Sequence, residues 1–403
     1  MTAKTEPLRA VLQEALPDRP FRIDLWDGTS LPSTNGDGPA FHIRSPAALG
    51  HLLRAPGQLG VGRAYVTGSL DVDDLEAGLR IVDAWSPPPL DARTKGRIAT
   101  AAVRAGALRR VPPSTAAELR PKGKRHSIAR DRRAVRHHYD VGNGFFALFL
   151  DQSMTYSCAI FSRGATTLEE AQRTKLELVC TKLALKADER VLDVGCGWGS
   201  FAIHAAGEHG VHVTGITLSE PQAVLARERV AAAGLQDRID IRVADYREIR
   251  GETYDAIASI GMVEHVGRPK IDTYAAQLAS LLRPGGRLLN HGVARLGPGA
   301  GEDETGGPFS ARFVFPDGAP MRLSRLMVAL EQAGFVPEHV ESFAEDYSKT
   351  LREWARRLDE RRAEAERIAG PERLRVWRLY LRAARNGFDT GLTSIYQVLA
   401  RMP

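Results

Sequence analysis

The sequence predicts an α/β protein: an open, mostly parallel sheet with helices on both faces, preceded by a small N-terminal α+β domain. Three observations carry this expectation. From about residue 131 onward, strand-like and helix-like segments alternate. One strand-to-helix turn, Gly195-Cys196-Gly197-Trp198-Gly199, is dense in glycine. The chain has 403 residues, more than one core usually organises, and Ser86-Pro87-Pro88-Pro89 interrupts it, because consecutive prolines continue neither a helix nor a sheet ladder.

Residues 1–85 read as the small domain. Strands are expected at 21–26 and 40–44 around a turn rich in Gly, Asn and Asp, then a helix with Ser45 as cap, Pro46 in its first position and an apolar face of Leu49, Leu52 and Leu53. Residues 86–130 read as a basic linker segment of short helices, broken at Pro112-Pro113 and Pro121-Lys122-Gly123. Residues 131–403 form the larger domain. Thr167-Leu168-Glu169-Glu170 is a capping box opening a helix to residue 185. Strands are expected at 190–194, 211–216, 239–244, 254–260 and 287–290, with helices at 201–206, 220–233 and 270–282 between them. A Gly- and Pro-rich stretch (295–320), a helix to 333, a strand at 336–342, two charged helices and a closing strand at 393–399 complete the chain.

Composition narrows the function classes. With 43% hydrophobic and 26% charged residues the chain is globular rather than disordered. No apolar run approaches the roughly 18 residues of a membrane span, and the first twenty residues lack the apolar stretch of a signal peptide, so a cytoplasmic protein is expected. Cys158, Cys180 and Cys196 form neither an even framework nor a CxxC pair, so neither disulfides nor a metal site are expected, and Cys180 reads as core. Residues 93–138 hold fourteen Lys and Arg against two acids, a local charge of +12 in a chain of net +6, so the remainder is net −6. Such a concentration seeks a polyanion, either nucleic acid or an anionic membrane surface.

Asp193-Val194-Gly195-Cys196-Gly197-Trp198-Gly199 is the most informative heptapeptide. Glycines at a strand-to-helix turn let a ligand approach the backbone, where the helix offers free N–H groups. Its GxGxG spacing departs from the GxGxxG of dinucleotide sites, no GK[ST] follows, and no basic cluster adjoins it in sequence, so an adenosyl ligand without phosphates fits best. Asp245, after the third strand, is placed to accept from an adenine amino group. Thr217 and Gln222 stand where a ribose-binding carboxylate often lies, and Ser219 reads as the next helix's N-cap.

Further pieces carry a family resemblance: His138-Tyr139-Asp140-Val141-Gly142-Asn143 with Phe145-Phe146, Thr155-Tyr156-Ser157-Cys158-Ala159, Thr217-Leu218-Ser219, Gly261-Met262-Val263-Glu264-His265-Val266-Gly267, Phe315-Pro316-Asp317-Gly318, and Tyr347-Ser348-Lys349-Thr350-Leu351 with Trp354. With the glycine turn they resemble the cyclopropane-fatty-acyl-phospholipid synthases and mycolic acid methyltransferases, class I (Rossmann-like) methyltransferases that use S-adenosylmethionine. The resemblance implies transfer of a methyl group to the cis double bond of a phospholipid acyl chain, with the resulting carbocation deprotonated by bound bicarbonate to close a cyclopropane ring. It assigns the bicarbonate site to Cys158, Glu264, His291 and Tyr347, with the backbone near Val293. To the cofactor it assigns Tyr156, Ser157, Asp193, Gly195, Cys196, Gly197, Thr217, Gln222, Asp245 and Tyr246. Two positions depart from the pattern: Arg247 stands where mycolic-acid relatives carry an acid, and Ala384 where many members have a cysteine.

The resemblance also turns the basic segment toward lipid: an unsaturated phospholipid substrate implies docking on the anionic inner face of a membrane, with 145–150 near the acyl entrance, and no nucleic acid. A homodimer is a further expectation. Two rival products share the chemistry up to the cation, a cyclopropane and a methylene or methyl branch, the latter with a reductase partner. A small-molecule methyltransferase and a non-catalytic lipid-binding protein are the remaining alternatives.

Overall fold

The computed structural model describes residues 4–109, 115–120, 122–139, 141–297 and 307–403. Arg110, Pro112-Pro113, Pro121, Asp140 and positions 298–306 of the Gly- and Pro-rich stretch lie outside the described residues. The chain divides into two compact units, the larger comprising Arg120–Gly306, Val314–Ala369 and Gly387–Pro403, the smaller Met1–Leu119, Gly307–Phe313 and Gly370–Asn386.

The larger unit is built on seven strands: β1 (Arg190–Val194), β2 (His212–Thr217), β3 (Ile239–Val243), β4 (Tyr254–Ile260), β5 (Leu282–Arg295), β6 (Val336–Ser342) and β7 (Thr393–Arg401). Their order is β6-β7-β5-β4-β1-β2-β3, in which β7 runs antiparallel to both neighbours and the rest pair in parallel. β1 and β4 are buried almost throughout because helices cover both faces. Alternate residues feed opposite cores: Leu192, Ile257 and Leu288 pack with Tyr274, Leu278 and Leu330, whereas Val191, Ala256 and Leu289 pack with Val179, Phe201 and Val213. Sequential connections reverse direction between β1 and β4, so a crevice opens at their carboxyl ends, where open α/β sheets hold ligands.

The capping box at Thr167 and Glu170 opens the helix Leu168–Lys182 as expected, a device that contributes on the order of 1 kcal/mol. β5 is longer than its sequence pattern suggests. Tyr254 pairs with Leu282 and Ala256 with Arg287, so the intervening Pro-Gly-Gly bulges out of register instead of ending the strand. The helix Arg362–Asp389 breaks at Gly370 (φ 78°, ψ 162°), immediately before Pro371.

The smaller unit has a four-stranded sheet in the order Ser30–Leu31, Arg22–Asp24, Ala40–Ile43, Leu70–Val72. Its core joins Leu8, Ile23, Leu31, Ala48 and Leu70 to Ala101 and Ala102 of the helix Ala92–Arg104, a helix whose sequence reads as linker. Ser45 does not cap the helix Ala47–Arg54. Pro46 is the N-cap and no side chain bonds there; Ser45 instead accepts at its backbone oxygen from Ala48 N (3.2 Å). Glu118, one of the two acids in the basic stretch, is buried against Arg63 (2.6 Å).

Candidate active site

The glycine turn leaves β1 with positive φ at Gly195 (80°), Gly197 (55°) and Gly199 (81°). Gly195 and Cys196 donate their N–H groups to Ile216 O of β2 (3.0 and 2.9 Å), locking the turn to the sheet. A Cβ on Gly195 would lie 2.8 Å from Met262 Cγ, while one on Gly197 would meet nothing within 4 Å. Gly197 thus presents bare backbone to a cleft of about 1160 Å³, part of it open to solvent. All ten residues assigned to the cofactor from the sequence line this cleft: Tyr156, Ser157, Asp193, Gly195, Cys196, Gly197, Thr217, Gln222, Asp245 and Tyr246.

The polar atoms of the cleft are arranged for a cationic, hydrogen-bonding ligand. Thr217 Oγ1 donates to Gln222 Oε1 (2.8 Å), which leaves the Gln222 amide free of that bond. Ser219 caps the following helix through Gln222 N (3.4 Å). Asp193, at 2% exposure, leaves Oδ2 without a partner, and burial pushes its carboxyl up to about 7 against the pull of the Lys175 ammonium. An unpaired buried carboxylate beside a glycine turn fits the ammonium of S-adenosylmethionine. Asp245 is differently engaged than its sequence position suggests. It caps the turn at Tyr246–Glu248, and both its oxygens accept from Arg247 (Nε 2.7 Å, Nη2 2.7 Å).

The four residues assigned to catalysis do not line this cleft; they gather around β5 and Phe343. Gly261 N donates to His291 O (2.8 Å), which holds the β4 exit loop on β5, and Val293 N donates to Glu264 Oε1 (2.6 Å). Glu264 Oε2 has no partner, and burial pushes the carboxyl up to about 7. His291 is fully buried. Its Nδ1 pairs with Gln397 Nε2 on the adjacent strand (3.0 Å), its Nε2 has no partner, and burial pulls it down to about 3, so the ring is neutral. His291 stacks on Phe343 (6.3 Å, 12°). Cys158 Sγ points at Ala159 O (3.2 Å) and Phe343 O (3.8 Å), and burial raises its thiol, so it is no thiolate. Tyr347 donates its backbone N–H to that same Phe343 O (3.0 Å) and packs its ring against Phe388.

Three residues of the site were given no role from the sequence. Lys175 lines the cleft with its ammonium buried, donates to Ser157 Oγ (3.1 Å) and is pulled down to about 8 by burial. A lysine on the apolar face of a capped helix is the signal that could have found it. Tyr139, pushed up to about 12 by burial, hydrogen-bonds Gln222 and feels the charge of Glu264, so it links the cleft to the catalytic cluster. His265 lines the cleft and is pulled down to about 4 by burial. The sequence also failed to place Lys175 and Arg247 near the glycine turn, since both approach it from distant segments. Phe145, Phe146 and Phe149, of the stretch expected near an acyl entrance, are fully buried, with Phe146 packed against Tyr156 and Trp198.

A sheet of this order, with a glycine turn after β1 opening on a cleft at the switch point, is that of a class I S-adenosylmethionine-dependent methyltransferase. A model of the mycolic acid cyclopropane synthetase family matches residues 126–398. The chain belongs to that family. It is 36% identical over 394 residues to a probable fatty acid methyltransferase of Mycobacterium tuberculosis, covering 94% of this chain and 91% of that one. It is 32% identical over 370 residues to the cyclopropane-fatty-acyl-phospholipid synthase of Escherichia coli K12, covering 91% and 88%. The crystal structure of mycolic acid cyclopropane synthase CmaA1 complexed with SAH and CTAB superposes with a TM-score of 0.63 at 30% identity, over 67% of this chain and 98% of that one. Among the described residues no helix is long and apolar enough to cross a membrane.

Proposed function

We propose that this methyltransferase acts on the cis double bond of an unsaturated phospholipid acyl chain and closes a cyclopropane ring. One observation carries the reading: two buried atoms without partners, Glu264 Oε2 and His291 Nε2, held at the carboxyl ends of β4 and β5 close to the donor cleft. S-adenosylmethionine, when bound, supplies an electrophilic methyl group. An alkene attacking it becomes a carbocation, and ring closure then requires loss of a proton from the added methyl in a place free of water.

Glu264 and His291 suit the anchoring of bicarbonate as that base. A neutral imidazole can donate from Nε2, and a carboxyl raised to about 7 carries its proton much of the time near neutrality, which removes the repulsion between two anions. Cys158 and the Val293 N–H, also assigned to the anion by resemblance, are occupied by Phe343 O, Ala159 O and Glu264, so their part is to hold the neighbouring backbone. Tyr347 adds ring bulk beside Trp354 and Phe388. Together with the buried aromatic residues around Tyr156 they keep the region dry.

The basic stretch supports docking on an anionic membrane face. Arg93, Lys95, Arg104, Lys122, Lys124, Arg133 and Arg136 are all exposed. Each such charge near a lipid surface contributes about 1 kcal/mol. A methylene- or methyl-branched product is the second reading, favoured by the likeness to a Mycobacterium tuberculosis protein named a probable fatty acid methyltransferase rather than a cyclopropane synthase.

Labelled S-adenosylmethionine incubated with the protein and monounsaturated phospholipid vesicles, followed by mass spectrometry with double-bond localisation, separates the products. A cyclopropane at the former double bond supports the first reading. A branched chain overturns it for the second, and label on soluble acceptors alone overturns both.

A further inference from the structure

Two helices of the larger unit bring three donor groups together outside the cofactor cleft, with a carboxylate on two of them. Glu177 and Cys180 stand about one turn apart on the helix Leu168–Lys182. His204 and His209 belong to the helix Ser200–His209. Both imidazole Nε2 atoms lie 3.1 Å from the same oxygen, Glu177 Oε2. Cys180 Sγ and a nitrogen of each imidazole all lie within 4.8 Å of one another. A five-residue spacing does not normally put two side chains on one helix face. Here His209 is the last helical residue and Gly210, in the left-handed region, ends the helix there. Thr181 donates to the other Glu177 oxygen (3.2 Å).

The geometry points to a binding site for a zinc-type divalent cation formed by Cys180, His204 and His209, with Glu177 beside the two imidazoles. One sulfur and two imidazole nitrogens make a donor set that suits zinc, with the fourth position left to a Glu177 oxygen or a water, whereas magnesium and calcium favour oxygen alone. Cys180 is fully buried and the two histidines are partly exposed, so the imidazole side is the entry route. Burial raises the Cys180 thiol; binding of the cation displaces the thiol proton to solvent and stabilises the thiolate. Sequence spacing could not reveal such a site, because each helix supplies only two donors. The ion would clip together two helices that also reach the cofactor cleft through Lys175 and through Ser200 and Phe201. The alternative is a carboxylate that only accepts hydrogen bonds from two imidazoles.

Zinc chloride titrated into the chelator-stripped full chain is expected to bind at one equivalent and to raise Tm by mass action. Cobalt(II) in its place is expected to give thiolate-to-metal charge-transfer absorption, lost in Cys180→Ser. The combined His204→Gln, His209→Gln variant changes only partly exposed positions. It is expected to weaken zinc binding by at least about tenfold while leaving methyl transfer without zinc unchanged. Absence of stoichiometric binding, undiminished affinity in the double variant, or a wild-type cobalt spectrum without the thiolate band would overturn the site.

Discussion

Arg247 Nη2 holds Asp131 Oδ2 at 2.7 Å, which ties the helix Ile128–Tyr139 to the end of β3. The same guanidinium takes both oxygens of Asp245 and donates to His126 O (3.0 Å). Asp131, Val135 and Tyr139 of that helix line the cofactor cleft, so the ion pair fixes one of its walls. Hydrogen bonds between charged groups are worth about 1.5–3 kcal/mol. Arg247→Ala is therefore expected to weaken binding of S-adenosylhomocysteine about tenfold in calorimetry, with turnover at saturating cofactor changed far less. Equal affinity in variant and wild type would mean that the helix is held by other contacts.

Gly197→Ala tests the bare backbone of the turn. A left-handed φ of 55° with a Cβ costs about 1 kcal/mol, a modest fall in Tm. The added methyl would meet no protein atom and would project into the cleft. Cofactor affinity is expected to fall by more than about tenfold while the thermal transition stays cooperative. A variant that binds as tightly as wild type would show that the ligand does not approach this glycine.

Much of this site was legible in the sequence because it hangs on local signals. The glycine turn, the Thr167 capping box and the Ser219 cap are short patterns whose geometry follows from a few residues, and the ten cofactor positions all face the cleft. What was not legible depends on pairings across the chain. Asp245 looked free for adenine because nothing local says that Arg247 folds back onto both its oxygens. Residues 145–150 were expected near an acyl entrance, and that Phe145, Phe146 and Phe149 are fully buried was not legible because an apolar run does not say which neighbours will cover it. Lys175 was given no role from the sequence, although its ammonium is buried, donates to Ser157 Oγ and feels the charge of Asp193.

That lysine and Asp193 make cofactor affinity depend on pH. Asp193, raised to about 7, ionises as pH increases through that value, and its charge favours a ligand ammonium. Binding of S-adenosylhomocysteine is expected to tighten between about pH 6 and 8. Lys175→Met removes the cation that holds the carboxyl down, so the same rise should move to higher pH. Asp193→Asn should bind weakly with a flat profile. A wild-type profile identical to that of Asp193→Asn would remove this carboxylate from the binding account.

Glu264 is the residue on which the proposed chemistry and the stability of the fold pull in opposite directions. Its carboxyl ordinarily titrates at 4.5 and is raised to about 7 by burial, so between those values the folded chain holds a proton that the unfolded chain has released. Its contribution to stability is therefore full below about pH 4.5 and is lost as pH rises toward 7. Glu264→Gln has no charge to bury. Its Tm should gain on wild type across that window and stay ahead above it, by on the order of 2 kcal/mol in stability. Its turnover should instead fall by roughly a hundredfold or more, since the amide cannot exchange a proton with the bound base, while cofactor binding persists because Glu264 stands outside the cleft. A variant no more stable than wild type at pH 8 would mean that Glu264 Oε2 is not desolvated as its surroundings imply. Unchanged turnover would remove Glu264 from the reaction whatever its effect on the fold.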